Sequence, residues 1–364
     1  VLQKRSQVLG LLAGQMKTVA IAGTHGKTTT SSMVAHILRH AGVNCAAFLG
    51  GITNNYGTNF LLNEPSDDLK SVVCVVEADE FDRSFLTLFP EIAVVTSTDA
   101  DHLDIYGAHD AVLESFSQFV SQIDPAGVLF MKKELSLADQ TKAEVRQYSL
   151  KEGDYYSSAL KIKDASFVFD LVHKAGVISD IKLTVPGFHN VENAVAAGAV
   201  ALELGVSPEA IRLALNDYRG VRRRFEYVLK TEKAVLIDDY AHHPAEVMAF
   251  LLSVKALYPD RELTVIFQPH LFSRTRDFAD GFAESLSIAD HVLLLDIYPA
   301  RELPIEGVTS DLILRGVQSK TKKSCNKAEL PVVVREMNPS LLVTIGAGDI
   351  DQMLPSLKRV LEDQ

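Results

Sequence analysis

The chain has 364 residues, 47% hydrophobic and 23% charged, enough apolar mass for two or three cores and too much for a disordered polypeptide. Its 47 acidic residues outnumber 36 Lys and Arg, and a net charge of −11 argues against a nucleic-acid groove or an anionic membrane surface. Cys45, Cys74 and Cys325 lack metal-ligand spacing, so neither a disulfide scaffold nor a zinc knuckle is expected, and a reducing cytoplasm is the expected setting. No apolar run approaches the ~20 residues that cross a bilayer. The opening VLQKRSQVLG is neither a signal peptide nor a methionine start.

TVAIA (18–22) reads as a buried strand, and GTHGKTTT follows it directly. Met33, Val34, Ile37 and Leu38 recur at helical spacing between Thr29 and Ala41, with Gly42 as the stop. VVCVV (72–76) and IAVVT (92–96) are continuous apolar runs, the pattern of strands buried on both faces. Strand, helix and strand in succession predict right-handed crossovers and a mainly parallel sheet. From about Gly127 to Val185 shorter alternating segments such as FVFDLV and IKLTV predict hairpins. GFHNVENAVAAGAVALELG and SPEAIRLAL then predict two helices, the second capped by Ser207 with Pro208 at its first position. After Arg222-Arg223-Arg224 the α/β rhythm restarts with AVLID (234–238), LTVIF (263–267), VLLLD (292–296) and LLVTI (341–345). The expected division is a 1–224 nucleotide-binding domain and a 225–364 Rossmann-like α/β domain.

Gly23-Thr24-His25-Gly26-Lys27-Thr28 stands between strand and helix, where backbone amides and the helix N-terminus can cradle phosphate. Lys27 would neutralise phosphate charge and the Thr28 hydroxyl would ligate magnesium. The loop reads G-x-x-G-K-T, with Ile21 where the usual first glycine would stand. VVCVV ends in Glu77-Ala-Asp79-Glu80, and IAVVT leads to Asp99-Ala-Asp101-His102, so acids and one imidazole collect at the sheet edge where open α/β sheets bind ligands. Oxygen donors with one imidazole suit magnesium or manganese. Glu77 and His102 are the functional candidates, while Asp79, Glu80, Asp99 and Asp101 are read as solvating loops.

His189, Asn190 and Asn193 open an alanine-rich helix; they serve either as local caps or as amides facing a base edge, and the residues alone leave both open. The three arginines are either a solvated run or a hinge cluster able to meet a γ-phosphate. AVLID is followed by Asp239-Tyr240-Ala-His242-His243-Pro244, and LTVIF by Gln268-Pro269-His270 and Arg274. An arginine there can hold a carboxylate bidentately and an aspartate can accept from a ribose hydroxyl. One of the two adjacent histidines has capping as its plain role. Gly346-Ala-Gly348-Asp349 is read as a tight strand-to-helix turn.

GTHGKTTT, EADEFDRSF, DADHLD, GFHNVENA, RRRFE, DDYAHHP, FQPHLFSRTRD, YPARELPI and GAGD stand in this order from residue 23 to residue 349. In these motifs the chain resembles the Mur ligases, ATP-dependent amide-forming enzymes of peptidoglycan synthesis, and most of all their alanine-adding branch. The resemblance implies a P-loop-type ATPase domain followed by a Rossmann-like domain, with UDP-N-acetylmuramate and L-alanine as substrates and ATP and Mg2+ as cofactors. Gly23, Thr24, His25, Gly26, Lys27, Thr28 and Thr29 would bind the nucleotide phosphates, with Thr28, Glu77 and His102 on the metal. His189, Asn190 and Asn193 would line the adenine pocket, Arg224 would point at the phosphates, and Asp239 would take the ribose. Tyr240, His242, His270 and Arg274 would surround L-alanine. The implied chemistry runs through an acyl phosphate of the muramyl carboxylate.

Several sibling ligases carry a carbamylated lysine downstream of the metal histidine; here Ser117 stands at that position, and the alanine-adding branch resembles this chain in lacking the lysine. The family's N-terminal UDP-binding domain has no counterpart ahead of this chain's ATPase motifs, which leads to the expectation of a fragment. The competing expectations are a murein tripeptide-recycling ligase and a nucleotide-binding module without ligation. Lys27→Ala is expected to abolish ATP use and leave the fold intact.

Overall fold

The computed structural model describes residues 2–99, 106–163 and 165–363. The chain divides into two compact units, Val1–Arg222 and Arg223–Gln364.

Among the described residues the first unit is built on ten strands: β1 (Lys17–Ala22), β2 (Cys45–Phe48), β3 (Phe60–Leu61), β4 (Val73–Glu77), β5 (Ile92–Val95), β6 (Val128–Lys132), β7 (Glu144–Ser149), β8 (Tyr155–Lys163), β9 (Ser166–His173) and β10 (Gly176–Leu183). They lie in the order β10-β9-β8-β7-β6-β5-β1-β4-β2-β3. Pairing is parallel from β2 through β8, and antiparallel at β2–β3, β8–β9 and β9–β10. Val19, Ala20, Ile21 and Ala22 of β1 are fully buried, as a central strand covered on both faces requires. The hairpin expectation for 127–185 holds for β8–β10, whereas β6 and β7 extend the parallel sheet.

Among the described residues five helices accompany this sheet: α1 (Arg5–Ala13), α2 (Lys27–His40), α3 (His109–Ser121), α4 (Phe188–Glu203) and α5 (Pro208–Asp217). The alanine run of α4 lets it pack closely on α2, the helix that begins at the Gly23–Gly26 loop. Ser207 caps α5 through a bond accepted from the Ala210 amide at 3.3 Å, with Pro208 in the first turn, as expected. Phe85 stacks on Phe119 at 5.0 Å and meets Phe116 edge-on at 5.3 Å, fixing α3 against the segment that follows β4.

The second unit holds β11 (Glu226–Lys230), β12 (Val235–Asp239), β13 (Leu263–Phe267), β14 (His291–Leu294), β15 (Thr321–Ser324) and β16 (Leu341–Ile345). Their order is β11-β12-β16-β13-β14-β15, parallel except for β11–β12. Around them lie α6 (Pro244–Leu257), α7 (Phe272–Asp277), α8 (Ala279–Leu286), α9 (Asp311–Gly316), α10 (Leu330–Met337) and α11 (Leu354–Glu362). β16 inserts between β12 and β13, so the strand order reverses beside the carboxyl end of β13, the kind of edge where α/β sheets take ligands. Among the described residues no helix is long and apolar enough to cross a membrane.

Candidate active site

The loop between β1 and α2 is shaped by two glycines. Gly23 has φ +139, and a Cβ there would lie 2.0 Å from Thr96 Oγ1; Gly26 caps α2 at φ +80, and a Cβ would lie 2.8 Å from Asn193 Oδ1. Only glycine fits both the left-handed backbone and these neighbours. The end of β5 holds the loop from below. The Thr96 hydroxyl donates to the carbonyls of Ala22 and His25, Ser97 Oγ accepts from the His25 amide at 2.8 Å, and Ser97 Oγ pairs with Thr24 Oγ1 at 2.9 Å. His25 Nε2 lies 3.4 Å from an Asp99 oxygen.

Lys27 folds back under this loop. Its ammonium donates to Gly23 O at 2.6 Å and sits 2.8 and 3.0 Å from the two oxygens of Glu80, which is 0% exposed. Burial pulls the Lys27 pKa down, but Glu80, Glu77 and Asp79 outweigh it and hold the ammonium above the ordinary lysine value. Two expectations are corrected here. Glu80 does not solvate a loop, and Lys27 is not a dispensable loop lysine, because removing it strands a buried carboxylate. Thr28 Oγ1 donates to Glu77 Oε1 at 3.1 Å, and Glu77 Oε2 accepts the Gly50 amide at 2.8 Å. A hydroxyl and a carboxylate of opposite elements thus meet at the edge of β1 and β4, a hard-oxygen pair suited to Mg2+. Among the described residues no group of three or more His, Cys, Asp or Glu gathers to hold a metal. His102 and Asp101 lie outside the described residues. Ser117 is on α3, its hydroxyl bonded to Leu113 O at 3.0 Å.

Thr29 is buried in the first turn of α2. At the start of α4, Asn190 donates to Pro186 O at 2.8 Å and accepts from Asn193 Nδ2 at 3.3 Å. The imidazole of His189 folds over Gly187, where a Cβ would come within 2.7 Å of it. Asn190 therefore serves the helix start, while Asn193 reaches the loop between β1 and α2 at Gly26. Glu192, one position earlier, pairs with Lys132 at 3.1 Å and accepts the Leu150 amide at 3.2 Å, tying α4 to the ends of β6 and β7.

At the start of the second unit the three adjacent arginines part ways. Arg222 closes the first unit and is exposed. Arg223 binds inward, to the wholly buried Asp238 at 3.1 Å and to the carbonyls of Gly346 and Gly348 at 2.6 and 3.0 Å. Arg224 lies 5.1 Å from the Tyr240 ring centre and 3.9 Å from Glu246. Asp239 accepts the amides of Phe225 at 2.7 Å and Ala241 at 2.8 Å, and burial pushes its pKa up to about 7 against the pull of Arg224 and these amides.

Tyr240, His242, His270 and Tyr298 form a continuous run of rings along this edge, with centroids 5.5, 6.2 and 5.8 Å apart in turn. His270 stacks on Tyr298; burial, then His242 and Arg274, depress its pKa to about 4, so its ring is neutral near pH 7. Its Nδ1 is buried with no hydrogen-bond partner among the described residues. His243 caps α6 in a box with Glu246, the plain role foreseen for one histidine of the pair. Arg274 is buried in α7.

Sequence reading missed Glu80, Thr96, Ser97, Gly50 and Arg223. Thr96 and Ser97 stand at the end of an apolar run, a signal available in the sequence; Glu80 lies three residues beyond the end of β4, Gly50 follows the unforeseen β2, and Arg223 is masked by two neighbours of its own kind.

Residues 21–201 match the Mur ligase middle domain, and residues 223–348 match the Mur ligase glutamate ligase domain. A UDP-N-acetylmuramate–L-alanine ligase of Phocaeicola vulgatus is 49% identical over 98% of this chain and 77% of its own length. One of Flavobacterium johnsoniae is 47% identical over 100% of this chain and 78% of its own. The crystal structure of a UDP-N-acetylmuramate–alanine ligase from Thermotoga maritima superposes with a TM-score of 0.79 at 26% identity, covering 99% of this chain and 78% of that one.

Proposed function

The chain belongs to the Mur ligase family, and from that premise we propose that it joins the carboxylate of UDP-N-acetylmuramate to the amine of L-alanine at the expense of ATP. The observation that carries this reading is the convergence of Lys27, Thr28 and Glu77 on a glycine-shaped loop at the carboxyl edge of β1 and β4.

Gly23 to Thr29 cradle the triphosphate, and Lys27, kept charged by Glu80, offsets the negative charge that grows on the transferring group. Thr28 and Glu77, with His102, would hold Mg2+, which would supply Lewis-acid neutralisation of the anionic reactants. The muramyl carboxylate oxygen attacks the γ-phosphorus, the bond to ADP breaks, and an acyl phosphate forms. The alanine amine, having given up its proton, attacks the acyl carbon; the tetrahedral centre collapses and phosphate leaves with the original carboxylate oxygen. His189 and Asn193 would face the adenine, with Asn190 setting the start of α4; Asp239 would accept from the ribose, and Arg224 would meet phosphate charge. Tyr240, His242, His270 and Arg274 hold L-alanine, with Arg274 on its carboxylate. A neutral His270 with an unpartnered Nδ1 suits a polar ligand and adds no positive charge against an incoming amine. The reaction belongs in the cytoplasm, where the nucleotide substrates are made.

The test is ADP release by the whole protein as its gene encodes it. Release is expected only when UDP-N-acetylmuramate and L-alanine are both present; ATP turnover indifferent to L-alanine would sink the reading.

A further inference from the structure

The proposed chemistry leaves the bonds of Arg223 unused. It stands at φ +59, a left-handed backbone that a residue with a long side chain adopts only when its surroundings hold it there. Each of its three nitrogens is bonded: Nε to Asp238, one terminal nitrogen to Gly346 O and the other to Gly348 O, with Cζ 5.1 Å from the Tyr240 ring centre. Asp238 is 0% exposed, and its second oxygen accepts the Thr344 hydroxyl at 2.6 Å. The fork therefore ties the end of β12 to the turn that follows β16.

That turn has little room. A Cβ on Gly346 would lie 2.6 Å from Gln268 O, and one on Gly348 would lie 2.5 Å from Gln268 Oε1 and 2.7 Å from Tyr298 Cβ. Gln268, Tyr298 and Asp349 line a cavity of about 390 Å3 at the strand ends, beside the ring of His270. Gln268 Nε2 donates to Asp349 at 2.9 Å, so the cavity wall and the turn move together.

We propose that Arg223 is a positioning residue for the amine-substrate edge of this unit: by gripping the Gly346 and Gly348 carbonyls it presses the turn onto Gln268 and Tyr298 and fixes the rings that receive L-alanine. This rests on the proposed ligase reading. Lysine keeps the charge beside Asp238 but cannot reproduce a planar fork across two carbonyls.

The test is Arg223→Lys in the whole protein, with KM for L-alanine, KM for ATP, and amide hydrogen exchange at Gly346–Asp349. The expected result is a rise of about tenfold or more in KM for L-alanine, a KM for ATP changed by less than about twofold, and faster exchange in the turn. A folded R223K with KM for L-alanine unchanged overturns the assignment, as does an equal rise in both constants. Should R223K not fold, Gly348→Ala displaces the same turn from its other side; the same selective rise supports the proposal and an unchanged KM for L-alanine overturns it. Wild-type turnover that ignores L-alanine refutes the ligase reading instead, and exchange in the turn then decides the clamp: faster in R223K supports it, unchanged refutes it.

Discussion

Lys27 and Glu80 show how a side chain can be at once a ligand group and part of the core. The pair is buried, and an ion pair broken on one side leaves an uncompensated charge that costs about 3–5 kcal/mol. Lys27→Ala is therefore expected to lose nucleotide binding and several kcal/mol of stability together, whereas Lys27→Ala with Glu80→Gln recovers much of the stability and none of the binding. Chemical denaturation and calorimetry with a non-hydrolysable ATP analogue check both; equal stability of the single variant and the wild type would refute the buried pairing. The sequence made Lys27 and Glu77 legible because each follows an apolar run or a glycine. Glu80 was not legible, since three residues beyond a strand end an acid reads as surface unless its partner is known.

At the level of elements, continuous apolar runs identified β1, β4, β5, β12, β13, β14 and β16 because strands covered on both faces admit little else. β15, with sequence TKKS, is exposed at every residue and lies at the sheet edge, so no apolar pattern betrays it. β2 is the short CAAF, whose alanines suit a helix as well as a strand. The start of α2 depends on helix-to-helix fit. Gly26 and Gly42, at the two ends of α2, both have positive φ, +80 and +75, but only Gly26 has Asn193 against it, while a Cβ on Gly42 would meet nothing within 4 Å. Alanine at either site bears backbone strain of about 1–2 kcal/mol. Gly26→Ala is expected also to weaken binding of the ATP analogue about tenfold or more, with Gly42→Ala leaving it unchanged; equal affinities in the two variants would show that α4 does not shape the loop.

For the molecule as a whole, the fold class was legible: two α/β units with mainly parallel sheets, read from the alternation of strand and helix signals and from the order of the motifs. What the sequence could not give is which of several adjacent like residues does what, as with Arg222, Arg223 and Arg224, because burial and partner are decided by chain segments far away in sequence. The central claim is that the chain activates a carboxylate as an acyl phosphate before an amine takes it. Its most direct measurement uses UDP-N-acetylmuramate carrying ¹⁸O in the muramyl carboxylate, with ATP and L-alanine, and mass analysis of the released phosphate. The account predicts one ¹⁸O atom in each phosphate for every amide formed; phosphate free of label while the amide accumulates would contradict it.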